Sequence, residues 1–61
     1  MDGYIVRFVR KDQRPAEEYY YSGLSDAAYH LNLFRDDDSG LYQQIDLLSA
    51  DSQKVIDKIL F

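Results

Sequence analysis

The absence of cysteine is the strongest constraint on how a chain of 61 residues can fold. A domain of this size buries only about 60% of the surface that its unfolded form exposes. Small proteins commonly make up that deficit with disulfides or a thiolate-bound metal. Neither is available here, so packing has to carry stability, helped by self-association if the chain forms a homodimer. Residues 1–61 are expected to form one domain.

Charged residues are 30% of the chain, yet hydrophobic residues at 46% and aromatic residues at 15% supply enough apolar surface to argue against disorder. The start, Met1-Asp2-Gly3, places an acidic side chain where a secretory leader carries positive charge, and no apolar run reaches membrane-spanning length. A cytoplasmic protein with no membrane association is the expectation.

The net charge of −4 is unevenly divided. Arg7, Arg10, Lys11 and Arg14 outnumber Asp2 and Asp12 in the first fourteen residues, while the rest of the chain is strongly acidic. Non-specific duplex binding needs a broad cationic face to displace phosphate counterions, and this distribution does not supply one.

Hydrophobic periodicity gives the element order. Tyr4, Val6 and Phe8 alternate with Ile5, Arg7, Val9 and Lys11, the pattern of a strand with one core face. Asp12-Gln13-Arg14-Pro15 has turn chemistry, and the tyrosine-rich run from Glu17 to Ser22 follows as a second strand, closing a hairpin with a four- or five-residue loop. Gly23 breaks that strand. Ser25 is placed to cap a helix, Asp26 opposes the positive end of its dipole, and Leu24 with Tyr29 has the spacing of a hydrophobic staple. Leu24, Ala27, Ala28, Leu31 and Phe34 make the helical core stripe, with an end expected near Arg35 ahead of the acidic run and Ser39-Gly40.

Leu41 to Ser49 is expected to be a third strand, with Leu41, Ile45 and Leu47 on one face. The last segment fits an amphipathic helix through Val55, Ile56, Ile59 and Leu60, or a strand with Val55, Ile59 and Phe61 on one face. Three of these residues are β-branched, and a turn over 50–53 would pair a strand directly with its predecessor, which favours the strand. The expected architecture is α+β: a small ββαββ domain with one helix on a face of an antiparallel sheet.

From Ser25 to Ser49 the chain has a short helix containing Ala28, His30 and Leu31, the acidic loop Asp36 to Asp38, and a strand with Tyr42, Ile45 and Leu47 spaced as Y-x-x-I-x-L; it closes on Phe61. In these features it resembles small acidic proteins carried by bacteriophages and mobile elements. The resemblance implies no catalytic residues and no cofactor. It implies a setting in which such proteins inhibit host defence systems or host enzymes by stoichiometric binding to a host protein.

No catalytic constellation can be assembled from the residues. His30 is the only histidine and has no evident partner in the sequence, so it is read as a partly buried structural side chain in preference to a general base or metal ligand. With neither cysteine nor a second histidine, a zinc site would need mainly carboxylates. Asp36-Asp37-Asp38-Ser39-Gly40 suggests a calcium loop, but its glycine and the position of the bidentate ligand are out of register with an EF-hand. Gly3, Gly23 and Gly40 lie too far apart for a phosphate-binding loop.

Protein contact is the remaining reading. Tyr29 and Leu33 lie about 180° around the helix from its core stripe, where polar residues are expected. Asp36, Asp37 and Asp38 form either a solvated loop or an acidic knob for a partner's arginines and lysines. Tyr19, Tyr20 and Tyr21 alternate along their strand, so at least one ring points away from the core, and Tyr20 is included in the candidate contact set. The alternative is a single-stranded nucleic-acid platform on the first hairpin, built from Arg7, Arg10, Lys11 and Arg14 beside the tyrosines. The surrounding negative charge opposes it.

Overall fold

A computed structural model describes residues 3–61. Met1 and Asp2, which carry the expectation about a leader, lie outside the described residues. The elements run β1 (Tyr4–Arg10), β2 (Glu17–Tyr21), α1 (Leu24–Leu33), β3 (Tyr42–Ser49) and β4 (Val55–Leu60). All four strands form one antiparallel sheet in the order β2-β1-β3-β4, with α1 packed on one face. This is the ββαββ arrangement, and the final segment is a strand.

The core lies between α1 and the sheet. Val6 and Phe8 of β1, Ile45 and Leu47 of β3 and Ile59 of β4 pack with Ala27 and Leu31 of the helix. Tyr4, Tyr21, Ala28, Phe34 and Tyr42 close its margin. Ala27 is fully buried, and its small side chain permits close approach of helix and sheet. Each fully buried large apolar side chain contributes about 1.5–3 kcal/mol, a substantial share of the stability of so small a domain.

Two β-bulges change which residues face this core. Between β1 and β3 the partners pass from Val9↔Gln44 to Arg10↔Tyr42, leaving Gln43 as the extra residue. Simple alternation back from Ile45 puts Leu41 inward, but the bulge turns Tyr42 inward and leaves Leu41 exposed. Between β3 and β4 the partners pass from Leu47↔Asp57 to Leu48↔Val55, with Ile56 extra. Val55 therefore lies on the sheet face away from α1, not beside Ile59 as expected.

The first strand also departs from its expected single core face. Ile5 is 3% exposed although it points away from the helix, and its partner Leu48 is 0% exposed. Arg7 lies on the same face as this second small apolar centre. Its Nε donates to Glu18 at 2.7 Å and its NH2 group to Gln53 Oε1 at 3.2 Å. Tyr20 and Val55 flank Ile5 and Leu48 on either side in the same row across the sheet.

The helix starts earlier than expected. Gly23, with extended φ −116° and ψ 141°, is the N-cap, and its carbonyl accepts from Ala27 N–H at 3.3 Å. Ser25 lies inside the first turn, no side chain caps the helix, and Leu24 is the first helical residue. A staple between Leu24 and Tyr29 does not form in this register, and Leu24 is exposed instead of joining the core stripe. The helix ends at Leu33 with Phe34 as C-cap, where Phe34 N–H and Arg35 N–H donate to the Leu31 and Asn32 carbonyls.

The first loop is longer than expected, with residues 11–16 separating β1 from β2. Asp12 organises it by accepting from Arg10 Nε at 3.0 Å and from Arg14 N–H at 3.2 Å. The hydrogen bond from Arg10 holds the Asp12 carboxyl well below its usual range, at about 2. The β3–β4 turn closes through Ser49 N–H to Lys54 O and Gln53 N–H to Ser49 O, both 2.9 Å, with Gln53 in the left-handed region at φ 59°.

Candidate interaction surfaces

The outward face of α1 carries Tyr29 and Leu33, which are 67% and 62% exposed. Both are apolar enough to favour burial, and their spacing of four residues makes them neighbours on the helix surface. The acidic loop follows directly. Asp36 and Asp38 are exposed and, among the described residues, make no ion pair. Asp37 is half-buried and organises the turn, accepting from Ser39 Oγ at 2.6 Å and Ser39 N–H at 3.3 Å. The three aspartates thus divide into two outward carboxylates and one that shapes the loop.

Arg35, between helix and loop, is turned towards the sheet. Its NH2 group donates to Asp57 Oδ2 at 3.1 Å and to Asn32 Oδ1 at 2.8 Å. It ties the end of α1 to β4, and the charges of Asp36 and Asp38 are left for solvent or a partner.

Tyr20 does not join this surface. It pairs with Ile5 and therefore lies on the sheet face away from α1, where it is 70% exposed. Tyr19 and Tyr21 point the other way. Tyr19 packs edge-on against Phe8 with ring centres 5.5 Å apart, and the Tyr21 hydroxyl meets His30 Nδ1 at 2.7 Å.

That contact gives His30 the partner that its sequence context did not reveal. The ring is half-buried and touches the rings of Phe8, Tyr19, Tyr21 and Phe34. Loss of hydration lowers its pKa and favours neutral imidazole. This is a structural environment for the histidine, tied into the margin of the core. No group of three or more His, Cys, Asp or Glu side chains able to hold a metal occurs among the described residues.

The basic residues proposed for nucleic acid are not gathered on one face. Arg7 points to the sheet face away from the helix, whereas Arg10 lies over Tyr42 on the helix side, 6.0 Å from the ring centre. Arg7 pairs with Glu18 at 2.7 Å, Arg10 with Asp12 at 2.9 Å and Glu17 at 3.7 Å, and Arg14 with Asp12 at 3.4 Å. Lys11 is exposed and makes no ion pair among the described residues.

On the sheet face away from α1, the strand register assembles ordered rows that periodicity alone could not reveal. Tyr20, Ile5, Leu48 and Val55 form an apolar row across all four strands. Beside it run Glu18, Arg7, Asp46 and Lys58, alternating in sign from one edge of the sheet to the other. Val9, Gln44 and Leu60 make a third row. At one end of the sheet Tyr4, Tyr20, Tyr21 and Ala50 contribute to an open groove of about 410 Å³.

No helix among the described residues is long and apolar enough to cross a membrane. No family model, curated protein or solved structure matches this chain.

Proposed function

We propose that this chain is a non-catalytic protein-binding module that acts by stoichiometric contact, in the manner of a phage or mobile-element inhibitor of a host defence system. The contact surface is the outward face of α1 together with the acidic loop. What supports this is the side-by-side exposure of Tyr29 and Leu33, immediately followed by the outward carboxylates of Asp36 and Asp38. A tyrosine ring at the centre, extended by an apolar neighbour and with charge at the rim, matches the aromatic anchor and polar border of a small hot spot. The carboxylates select a basic patch on the partner and speed encounter with it, while the apolar pair holds the complex together.

Nucleic-acid binding through the first hairpin has weaker support, because Arg7 and Arg10 face opposite sides of the sheet and Arg7, Arg10 and Arg14 are already paired with carboxylates. The test is affinity capture from bacterial lysate with the wild-type chain and a Tyr29→Ala, Leu33→Ala variant, both checked for folding by circular dichroism. A saturable protein partner retained by the wild type and lost by the variant is expected. Equal capture by both proteins removes this surface from the account.

A further inference from the structure

We infer that the sheet face away from α1 is an isologous interface on which a second copy of this chain packs sheet against sheet. The observation behind this is the order of charge across the sheet. Register places Glu18, Arg7, Asp46 and Lys58 side by side on β2, β1, β3 and β4, giving the sequence minus, plus, minus, plus. Rotation by 180° about an axis parallel to the strands reverses that order, so each position of the row lies opposite one of opposite sign. Glu18 then faces Lys58 of the partner subunit at both ends, where both side chains are exposed, while Asp46 in the middle is buried and held by Gln44 within its own subunit. An axis perpendicular to the strands and running along the charged row would set each side chain against its own copy. The row therefore permits one symmetric arrangement and opposes the other.

The same rotation aligns the apolar row. Tyr20 packs over Val55 of the partner subunit at both ends, whereas Ile5 and Leu48 in the middle are already buried within each subunit and add no contact. Exposure is concentrated where these contacts form. Tyr20 is 70% and Val55 49% exposed on the two outer strands, whereas Ile5 and Leu48 are already buried. The outer strands thus supply most of the apolar area that pairing removes from water, and through Glu18 and Lys58 they supply the exposed complementary charges as well. Two sheets packed with their strands aligned within about 30° and about 10 Å apart form an ordinary β-sandwich. In that dimer the Tyr29 and Leu33 faces point outwards on opposite sides, so the inference does not depend on the function proposed for them.

The test exploits the fact that each end contact joins two different residues. Glu18→Lys and Lys58→Glu are made in separate chains, and both are followed by sedimentation velocity at high micromolar concentration. The wild type is expected to reach a dimer. Each variant alone opposes like charges at both ends of the row and is expected to remain monomeric, while an equimolar mixture restores opposite charges and is expected to form a heterodimer. A monomeric wild type, a variant that dimerises as the wild type does, or a mixture that stays monomeric overturns the inference. If circular dichroism shows either reversal to be unfolded, Tyr20→Ser and Val55→Ser test the same interface through its exposed apolar contacts. Each is expected to weaken the dimer roughly tenfold or more, and an unchanged dissociation constant overturns the inference.

Discussion

The Tyr21 hydroxyl and the Nδ1 of His30 lie 2.7 Å apart, joining the last residue of β2 to the last turn of α1 at the margin of the aromatic core. Tyr21→Phe keeps the ring and removes this hydrogen bond, leaving a half-buried nitrogen without its partner. A loss of about 1 kcal/mol is expected from urea unfolding. No loss would mean that water replaces the hydroxyl at no cost.

The same environment gives stability a dependence on pH. Burial lowers the pKa of folded His30, so the unfolded chain binds its proton first as pH falls below about 6.5. Stability associated with His30 is complete above that value and declines through the folded pKa. Melting temperature should fall as pH drops below about 6.5, and His30→Phe should flatten the curve there. Asp12 acts in a separate range: its stabilisation is present above its ordinary value of 3.8 and is lost as pH falls through about 2, so Asp12→Asn should lower stability above that value and flatten the strongly acidic limb.

Leu31 is 1% exposed at the centre of the helix-to-sheet contact. Leu31→Ala should cost about 2–5 kcal/mol, enough to unfold much of a domain with stability near the lower end of the usual range. Leu33→Ala, two residues away on the exposed side, should change stability by less than about 0.5 kcal/mol. Comparison of the two melting curves tests whether the helix is seated on the face described.

Gly23 caps α1 without a side-chain hydrogen bond, although its backbone angles suit any residue and a Cβ would meet nothing closer than Asp26 Oδ2 at 3.9 Å. Gly23→Ser supplies a hydroxyl for the free N–H groups of the first turn and reduces the freedom of the unfolded chain. A gain of about 0.5–1 kcal/mol is expected in chemical denaturation. Destabilisation would show that the glycine meets a need beyond capping.

The order of elements was legible because alternation in Tyr4 to Phe8, helical spacing from Ala27 to Phe34 and β-branching at Val55, Ile56 and Ile59 are local signals. Outward placement of Tyr29 and Leu33 followed from the same helical geometry. What remained hidden depends on pairing between strands. Bulges at Gln43 and Ile56 reverse the inward sense of Leu41, Tyr42 and Val55, and alternation along a single strand contains no mark of an extra residue. The burial of Ile5 beside Leu48 and the contact of His30 with Tyr21 arise from residues on different elements. The exposure of Tyr20 is readable locally, whereas the side of the sheet that it occupies is not. The helix start was displaced because both Gly23 and Ser25 are acceptable caps by residue type, and the backbone turn at Gly23 decides between them.

A photo-crosslinking side chain placed at Leu33, on the outward helix face, tests the claim that this face meets a partner protein. Irradiation in a bacterial lysate should give one dominant adduct with another protein, competed away by excess unmodified wild-type chain and absent when the same group replaces exposed Gln13. Adducts of equal pattern at both positions, or none at Leu33, would contradict it.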